Sequence, residues 1–352
     1  MRKLQLLLVL LLFAFLLAAC GGSQASEEPE EKEEPKTEET AEVDEELESA
    51  KAMFQPLGEI PVPEDNEMTD EKIELGKKLF FDPRLSGNNE LSCASCHAPG
   101  LGWGDNRPTF VGFEGAEGTR NSPTVINAGY YEENFWDGRA GSLEEQATGP
   151  ITSEVEMNQD LDELVEELKA VPEYVDEFEN VFNDQITADN IAKAIAAFER
   201  TIVITDTAFD QFLAGDDDAI SDEAKEGMKL FVGKAQCITC HSGALLSDQQ
   251  YHNLGIEGDE GRFAVTGNEE DKGAFKTPGL RGVKYTAPYM HDGSLETLED
   301  VIKFYNDGGG NDPNKSELIK PLGLTDEEIG YLVAFLESMS GEEPTVETPT
   351  LP

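Results

Sequence analysis

Apolar residues recur at helical spacing through most of this chain, and where they stop, glycine-rich loops take over. Asn190–Ile202 sets Ile191, Ala194, Ile195, Phe198 and Ile202 on one face. Asp326–Ser338 repeats the pattern with Ile329, Leu332, Val333 and Leu336, and Leu161–Leu168 and Tyr174–Phe182 carry the same spacing. Thr297 opens a capped helix in which Leu298, Val301, Ile302 and Tyr305 fall at i, i+3, i+4 and i+7, so Tyr305 points inward with core residues. Strand signals are sparse, and loops such as Gly112–Gly118 and Gly255–Gly273 fill the gaps. The pattern predicts an all-α fold with long loops.

One unit of this pattern occurs twice. Thr69-Asp70-Glu71 leads into Gly76-Lys77-Lys78-Leu79-Phe80, and Ser221-Asp222-Glu223 leads into Gly227-Met228-Lys229-Leu230-Phe231. Each has an N-cap residue, acids in the first turn and an amphipathic helix. Each then reaches a Cys-x-x-Cys-His pentapeptide, Cys93–His97 and Cys237–His241. Two thiols at this spacing form thioether bonds to haem vinyl groups, and the adjacent imidazole ligates the iron. A zinc knuckle uses the same residue types but would need the distant copies to converge. The repeat predicts two covalent haem c groups in two cytochrome c-like domains, residues 51–215 and 216–342.

The N-terminus changes where those domains work. Met-Arg-Lys precedes an apolar run from Leu4 to Leu17, followed by Leu17-Ala18-Ala19-Cys20. This reads as a secretory signal over residues 1–19, too short to span a membrane comfortably. The cysteine after Leu-Ala-Ala resembles a bacterial lipobox, so Cys20 becomes a lipidated N-terminus. The expected location is the extracytoplasmic face of the membrane, held there by the lipid alone. Export also suits haem attachment, which in bacteria happens outside the cytoplasmic membrane.

Charge narrows the partners. The 352 residues carry a net charge of −47. Ser26–Ala50 contains thirteen acids and two lysines without apolar periodicity, so residues 20–50 are expected to be a disordered acidic tether. Without those thirteen acids and two lysines the remaining charge is still about −36. Nucleic acid and anionic lipid surfaces are therefore poor partners, whereas a basic electron donor would be attracted. A high-salt or alkaline habitat explains the same charge without any partner. Residues 343–352 are expected to be a disordered tail.

Several runs resemble the bacterial dihaem cytochrome c peroxidase and MauG superfamily: Phe80–Ser86, Arg120-Asn121-Ser122-Pro123-Thr124, Phe135–Arg139 and Ala287–Gly293. The resemblance spans roughly residues 55–340. It implies that His97 is the proximal ligand of a peroxidatic haem and His241 that of an electron-transfer haem. In many members a distal histidine lies seven residues before the Arg-Asn-Ser-Pro arginine; here that position is Phe113, which cannot ligate iron. The peroxidatic iron is then open and reactive without prior reduction, unless a shifted loop brings in Glu114. The family's acid–base glutamate and its neighbouring glutamine match Glu156 and Gln146.

On the other haem, a conventional member has an axial methionine fourteen residues after the family histidine. That histidine matches His291, and the position is Tyr305, as in the MauG branch. A hard phenolate favours the more oxidised iron and lowers its potential relative to a thioether. Trp136 matches a tryptophan between the porphyrins. Asn121, Thr286 and Pro288 match oxygen ligands of a bridging calcium ion. His291 is expected near a haem propionate and His252 in a structural role. The implied function is reduction of hydrogen peroxide to water with electrons from a small exported cytochrome c or cupredoxin. The alternatives are MauG-like oxidation of side chains on a partner protein and a non-catalytic dihaem electron carrier. Family members are often dimeric, so a homodimer fits.

Overall fold

The computed structural model describes residues 44–352; the expected signal sequence, Cys20 and the acidic run as far as residue 43 lie outside the described residues. The regular structure is almost entirely helical: α1 (Glu45–Lys51), α2 (Asp70–Phe81), α3 (Leu143–Thr152), α4 (Leu161–Lys169), α5 (Pro172–Phe182), α6 (Ala188–Glu199), α7 (Ala208–Leu213), α8 (Asp222–Val232), α9 (Phe263–Thr266), α10 (Leu298–Asn306) and α11 (Asp326–Ser338). Tyr251–His252 (β1) and Phe275–Lys276 (β2) form a short antiparallel ribbon. No helix among the described residues is long and apolar enough to cross a membrane.

Each half is organised by one close helix crossing. Thr69 accepts from the Lys72 amide and starts α2, and Ser221 accepts from the Ala224 amide and starts α8. α2 then packs on α6, and α8 on α11. The repeated glycine sits at each crossing: a Cβ on Gly76 would collide with the Ala194 carbonyl, and one on Gly227 with the Tyr331 carbonyl. Backbone approach this close is possible only without a side chain. Buried aromatic side chains then lock both crossings. Phe80 meets Phe198 with ring centroids 5.2 Å apart, and Phe231 meets Phe335 at 5.3 Å. Each such buried ring contributes about 1.5–3 kcal/mol of apolar transfer.

The chain ends cross over between these halves, which alters two expectations. The disorder expected as far as Ala50 does not hold for residues 44–50. Asp44 accepts from the Glu46 and Leu47 amides, which starts α1; α1 packs on α8, and Ala50 is 3% exposed. Together with Phe54, Ala50 therefore joins the core built around Phe209, Phe231 and Phe335, not the one built around Leu79, Phe80 and Phe198. Phe209 and Phe212 of α7, which precede residue 215, also pack in that second core. The C-terminal tail is likewise placed. Val346 packs against the first core, the Gly102 amide donates to Glu343 Oε1 (2.8 Å), and Trp103 Nε1 donates to the Pro344 carbonyl (2.7 Å).

Most expected helices match the observed ones within a residue or two. α6 stops at Glu199, and Ile202 reaches the core from the turn beyond it. α3, which is not among the sequence-predicted helices, carries Gly149-Pro150 in its last turn.

Because the crossing leaves no room for a methyl group, Gly227→Ala is expected to cost about 1–3 kcal/mol. Urea unfolding of the haem-loaded protein measures this as a lower midpoint with unchanged slope.

Candidate functional site

The two Cys-x-x-Cys-His segments fold as matching 3-10 turns, Cys93–Ser95 and Cys237–Thr239, the first separated from α2 by a loop with another 3-10 turn, the second close behind α8. In each, the histidine amide donates back to the first cysteine carbonyl at 2.9 Å, which gathers both thiols and the imidazole. All six side chains line one cavity of about 940 Å³ that runs through both halves. Burial pushes the thiols up, Cys237 to about 12 and Cys96 and Cys240 to about 11, so they stand protonated. Among the described residues, no group within metal-binding reach combines the two copies. Cys240 does lie near Asp248 and His252, where His252 Nε2 is paired with Asp248 Oδ2 at 2.8 Å. A zinc site shared by the copies is not formed.

Behind each turn a carbonyl fixes the proximal imidazole. His97 Nδ1 lies 3.2 Å from the Trp103 oxygen, and His241 Nδ1 lies 3.0 Å from the Leu246 oxygen. Trp103 and Leu246 are both wholly buried and both left-handed, with φ of 55° and 58°. Bulky residues reach that region only when their surroundings hold them there. Burial holds both imidazoles below the usual histidine range, hence neutral. With Nδ1–H donating to a carbonyl, Nε2 keeps a free lone pair for a metal.

On the other side of the first site, Glu156, Gln146, Arg139, Phe110 and Pro150 face the cavity. Burial raises the Glu156 carboxyl above its ordinary range, while Arg139 and a hydrogen bond with Ser153 pull the other way. The loop expected to carry a distal ligand takes a different part. Phe113 does not line the cavity; its ring faces Gly87, and its amide donates to the Val155 carbonyl (3.3 Å). Glu114 is exposed with φ 52°, also outside the lining, so the shifted-loop alternative is overturned. The loop backbone instead packs on Val155 and Glu156, where a Cβ on Gly112 would collide with the Val155 carbonyl.

Across from the second pair of thiols, α10 brings Tyr305 to the cavity wall. Burial first, and then Cys237 and Cys240, push its phenol well above the usual range. Between the sites, Trp136 Nε1 donates to the Asn121 carbonyl (2.9 Å), and the Asn121 amide donates to the His291 carbonyl (2.7 Å). His291 is buried and stacks on Phe275 with centroids 3.6 Å apart. Asn121, Thr286 and Pro288 all reach the cavity wall. Asn121 Nδ2 is occupied with the Arg107 carbonyl (2.8 Å), and Thr286 Oγ1 donates to the Val283 carbonyl (3.1 Å).

Other lining residues escaped the sequence reading. Glu199 is buried against the cavity, its carboxyl raised to about 8 by burial, and its Oε2 has no partner among the described residues. Arg120 ties the halves together through Asp137 (2.6 Å) and Asp259 (2.8 Å). Lys276 is 8% exposed and also lines the cavity. Of these, Arg120 fell in a run that carries the family resemblance and Glu199 in a predicted helix, and neither carried a role there.

Comparison with known proteins agrees with this architecture. The di-haem cytochrome c peroxidase family model matches residues 70–218, and the cytochrome c model matches residues 224–340. The chain is 43% identical over 341 residues to the cytochrome-c peroxidase IdrP1 of Denitromonas iodatirespirans, covering 86% of this chain and 91% of that protein. It is 41% identical to the methylamine utilization protein MauG of Methylorubrum extorquens, covering 97% and 98%. A crystal structure of a MauG-like protein associated with microbial copper homeostasis superposes with a TM-score of 0.76 at 33% identity, covering 82% of this chain and 94% of that one. Two buried Cys-x-x-Cys-His turns in a common cavity, in a helical frame shared with these relatives, make this chain a member of the dihaem cytochrome c peroxidase and MauG family, carrying two haem c groups.

Proposed function

We propose that this protein reduces hydrogen peroxide to two waters at the haem held by Cys93, Cys96 and His97. Two electrons arrive through the haem held by Cys237, Cys240, His241 and Tyr305, from a small exported redox protein, and two protons come from solvent. The observation that carries this reading is Glu156: a carboxyl lining the cavity, raised by burial and held by the backbone of the neighbouring loop. An electron carrier needs no such group. Bound haem supplies the redox chemistry and the site where the O–O bond breaks. The Glu156 carboxylate takes the proton from one peroxide oxygen and returns it to the other, so that water leaves. The Gln146 amide orients the peroxide beside it. Trp136, bonded to the Asn121 carbonyl between the sites, relays electrons.

A second reading, oxidation of side chains on a partner protein, is favoured by Tyr305. Without metal the phenol is held protonated by burial, whereas an iron cation would acidify it into a hard ligand. Such a ligand lowers the potential of that haem and lets it share oxidising equivalents with its neighbour. Relatives named as peroxidases and as MauG both lie near 40% identity. Asn121, Thr286 and Pro288 are proposed to hold a calcium ion between the haems. Cys20 is proposed to carry the lipid that keeps the protein at the outer face of the membrane, with a homodimer as the family habit. The acidic surface suits a basic donor.

Glu156→Gln is expected to lower peroxide turnover by about 10²–10⁴-fold with both haem spectra retained, measured with a reduced cytochrome as donor. The proton acceptor must be ionised, so wild-type activity falls as pH drops through the raised Glu156 pKa, above the ordinary carboxylate range. That limb disappears in the variant. Tyr305→Met is expected to raise the potential of one haem and alter the low-spin ferric signal in electron paramagnetic resonance. Unchanged spectra would remove Tyr305 from the iron.

A further inference from the structure

Lys276 is a buried cation without a counter-ion. It lies on β2, where its amide donates to the Trp136 carbonyl (2.9 Å) and its residue pairs with Tyr251 across the ribbon. Its side chain reaches the cavity wall, and Nζ sits 3.4 Å from the centre of the Tyr131 ring. Among the described residues Nζ makes no hydrogen bond or ion pair. The nearest acid that influences it is Glu133, which already accepts from Arg262 Nη2 (3.0 Å) and from the Tyr251 hydroxyl. The Tyr131 hydroxyl accepts from the Gly279 amide (2.6 Å), so only the ring face is offered to Lys276. Burial pulls the ammonium down to about 7.

Arg281, five residues on, shows how this chain normally neutralises a buried cation. Its Nη1 meets Asp210 at 2.6 Å, and its Nε donates to the Ala244 carbonyl at 3.1 Å. Lys276 has no equivalent. A buried charge left unpaired is strongly unfavourable, and a ring face compensates only part of that. With 73 acidic residues in the sequence, a carboxylate partner would have been easy to supply. The cavity that Nζ faces is the one that receives two porphyrins, each bearing two propionates.

We infer that Lys276 is the binding residue for a haem propionate at the junction of the two haem sites, its ammonium completing an ion pair that the polypeptide alone leaves open. The same cation, close to one porphyrin, raises the potential of that haem by favouring the reduced iron. Trp136, joined to the Lys276 amide, is then backed by a charged and fixed strand. The inference needs only the two bound haems, so protein that carries both and reduces no peroxide tests it equally well.

Spectroelectrochemical titration of the two-haem protein, following each haem separately, gives the test. Lys276→Met is expected to lower one potential, changing that haem's oxidised-to-reduced ratio at fixed applied potential by about tenfold, for a unit charge roughly 10 Å from iron at an effective dielectric of about 20. Lys276→Arg keeps the charge and restores the wild-type value. The haem that moves identifies whose propionate is bound. Two unmoved potentials in a fully loaded Met variant would overturn the inference. Should that variant lose haem, Lys276→Gln serves in its place. The propionate bending band of wild-type protein in resonance Raman is expected at the frequency of an ion-paired carboxylate, and a water-hydrated frequency for all propionates would equally refute it.

Discussion

Two contacts between helix backbones set the geometry of everything else. Where α2 passes α6 at Gly76, and α8 passes α11 at Gly227, the absence of a side chain allows the helices to approach closely enough for Phe80 and Phe231 to interlock with the facing rings. Each crossing helix leads on, through a loop after α2 and a short turn after α8, to a 3-10 turn that carries two thiols and an imidazole. The crossing therefore sets the depth and angle at which a porphyrin can be attached. Duplicating this unit gives two attachment sites of similar internal geometry, and the chemistry must come from what differs around them.

The differences lie in the loops. At the first site the chain supplies Glu156 and Gln146 and turns Phe113 away; at the second it supplies Tyr305. The proximal sides are nearly equivalent, with a left-handed residue offering its carbonyl to each Nδ1. The two sites thus differ in the residues that line the cavity around them, while each imidazole is held in the same way. The interior between them is polar: Arg120, Asp137, Asp259, His291 and Lys276 gather beside Trp136, where two porphyrins with their acidic side chains have to fit.

What could be read from the sequence was local in origin. Helix spacing, N-caps and the two pentapeptides depend on residues a few positions apart, and α11 matches its expected bounds, Asp326–Ser338. The crossover of the chain ends could not be read in this way, because Glu343 meets Gly102 and Asp44 meets Lys229 only through tertiary folding. Composition was misleading in the same places. Acid-rich Glu45–Lys51 suggests a solvated coil, yet Asp44 caps it and Leu47, Ala50 and Phe54 give it an apolar side. Lysine at position 276 suggests a surface, and only the cavity shows it to be interior.

The interleaved termini bear on how the molecule matures. The first haem unit emerges from synthesis long before Pro344 and Val346, yet those residues cover Trp103, whose carbonyl steadies His97. The second unit in turn depends on a helix made at the start of the chain. Neither half is self-contained: each is completed by chain that is remote in sequence. Glu343, Pro344 and Val346 thus act as a cover over the first haem unit that only tertiary folding can bring into place.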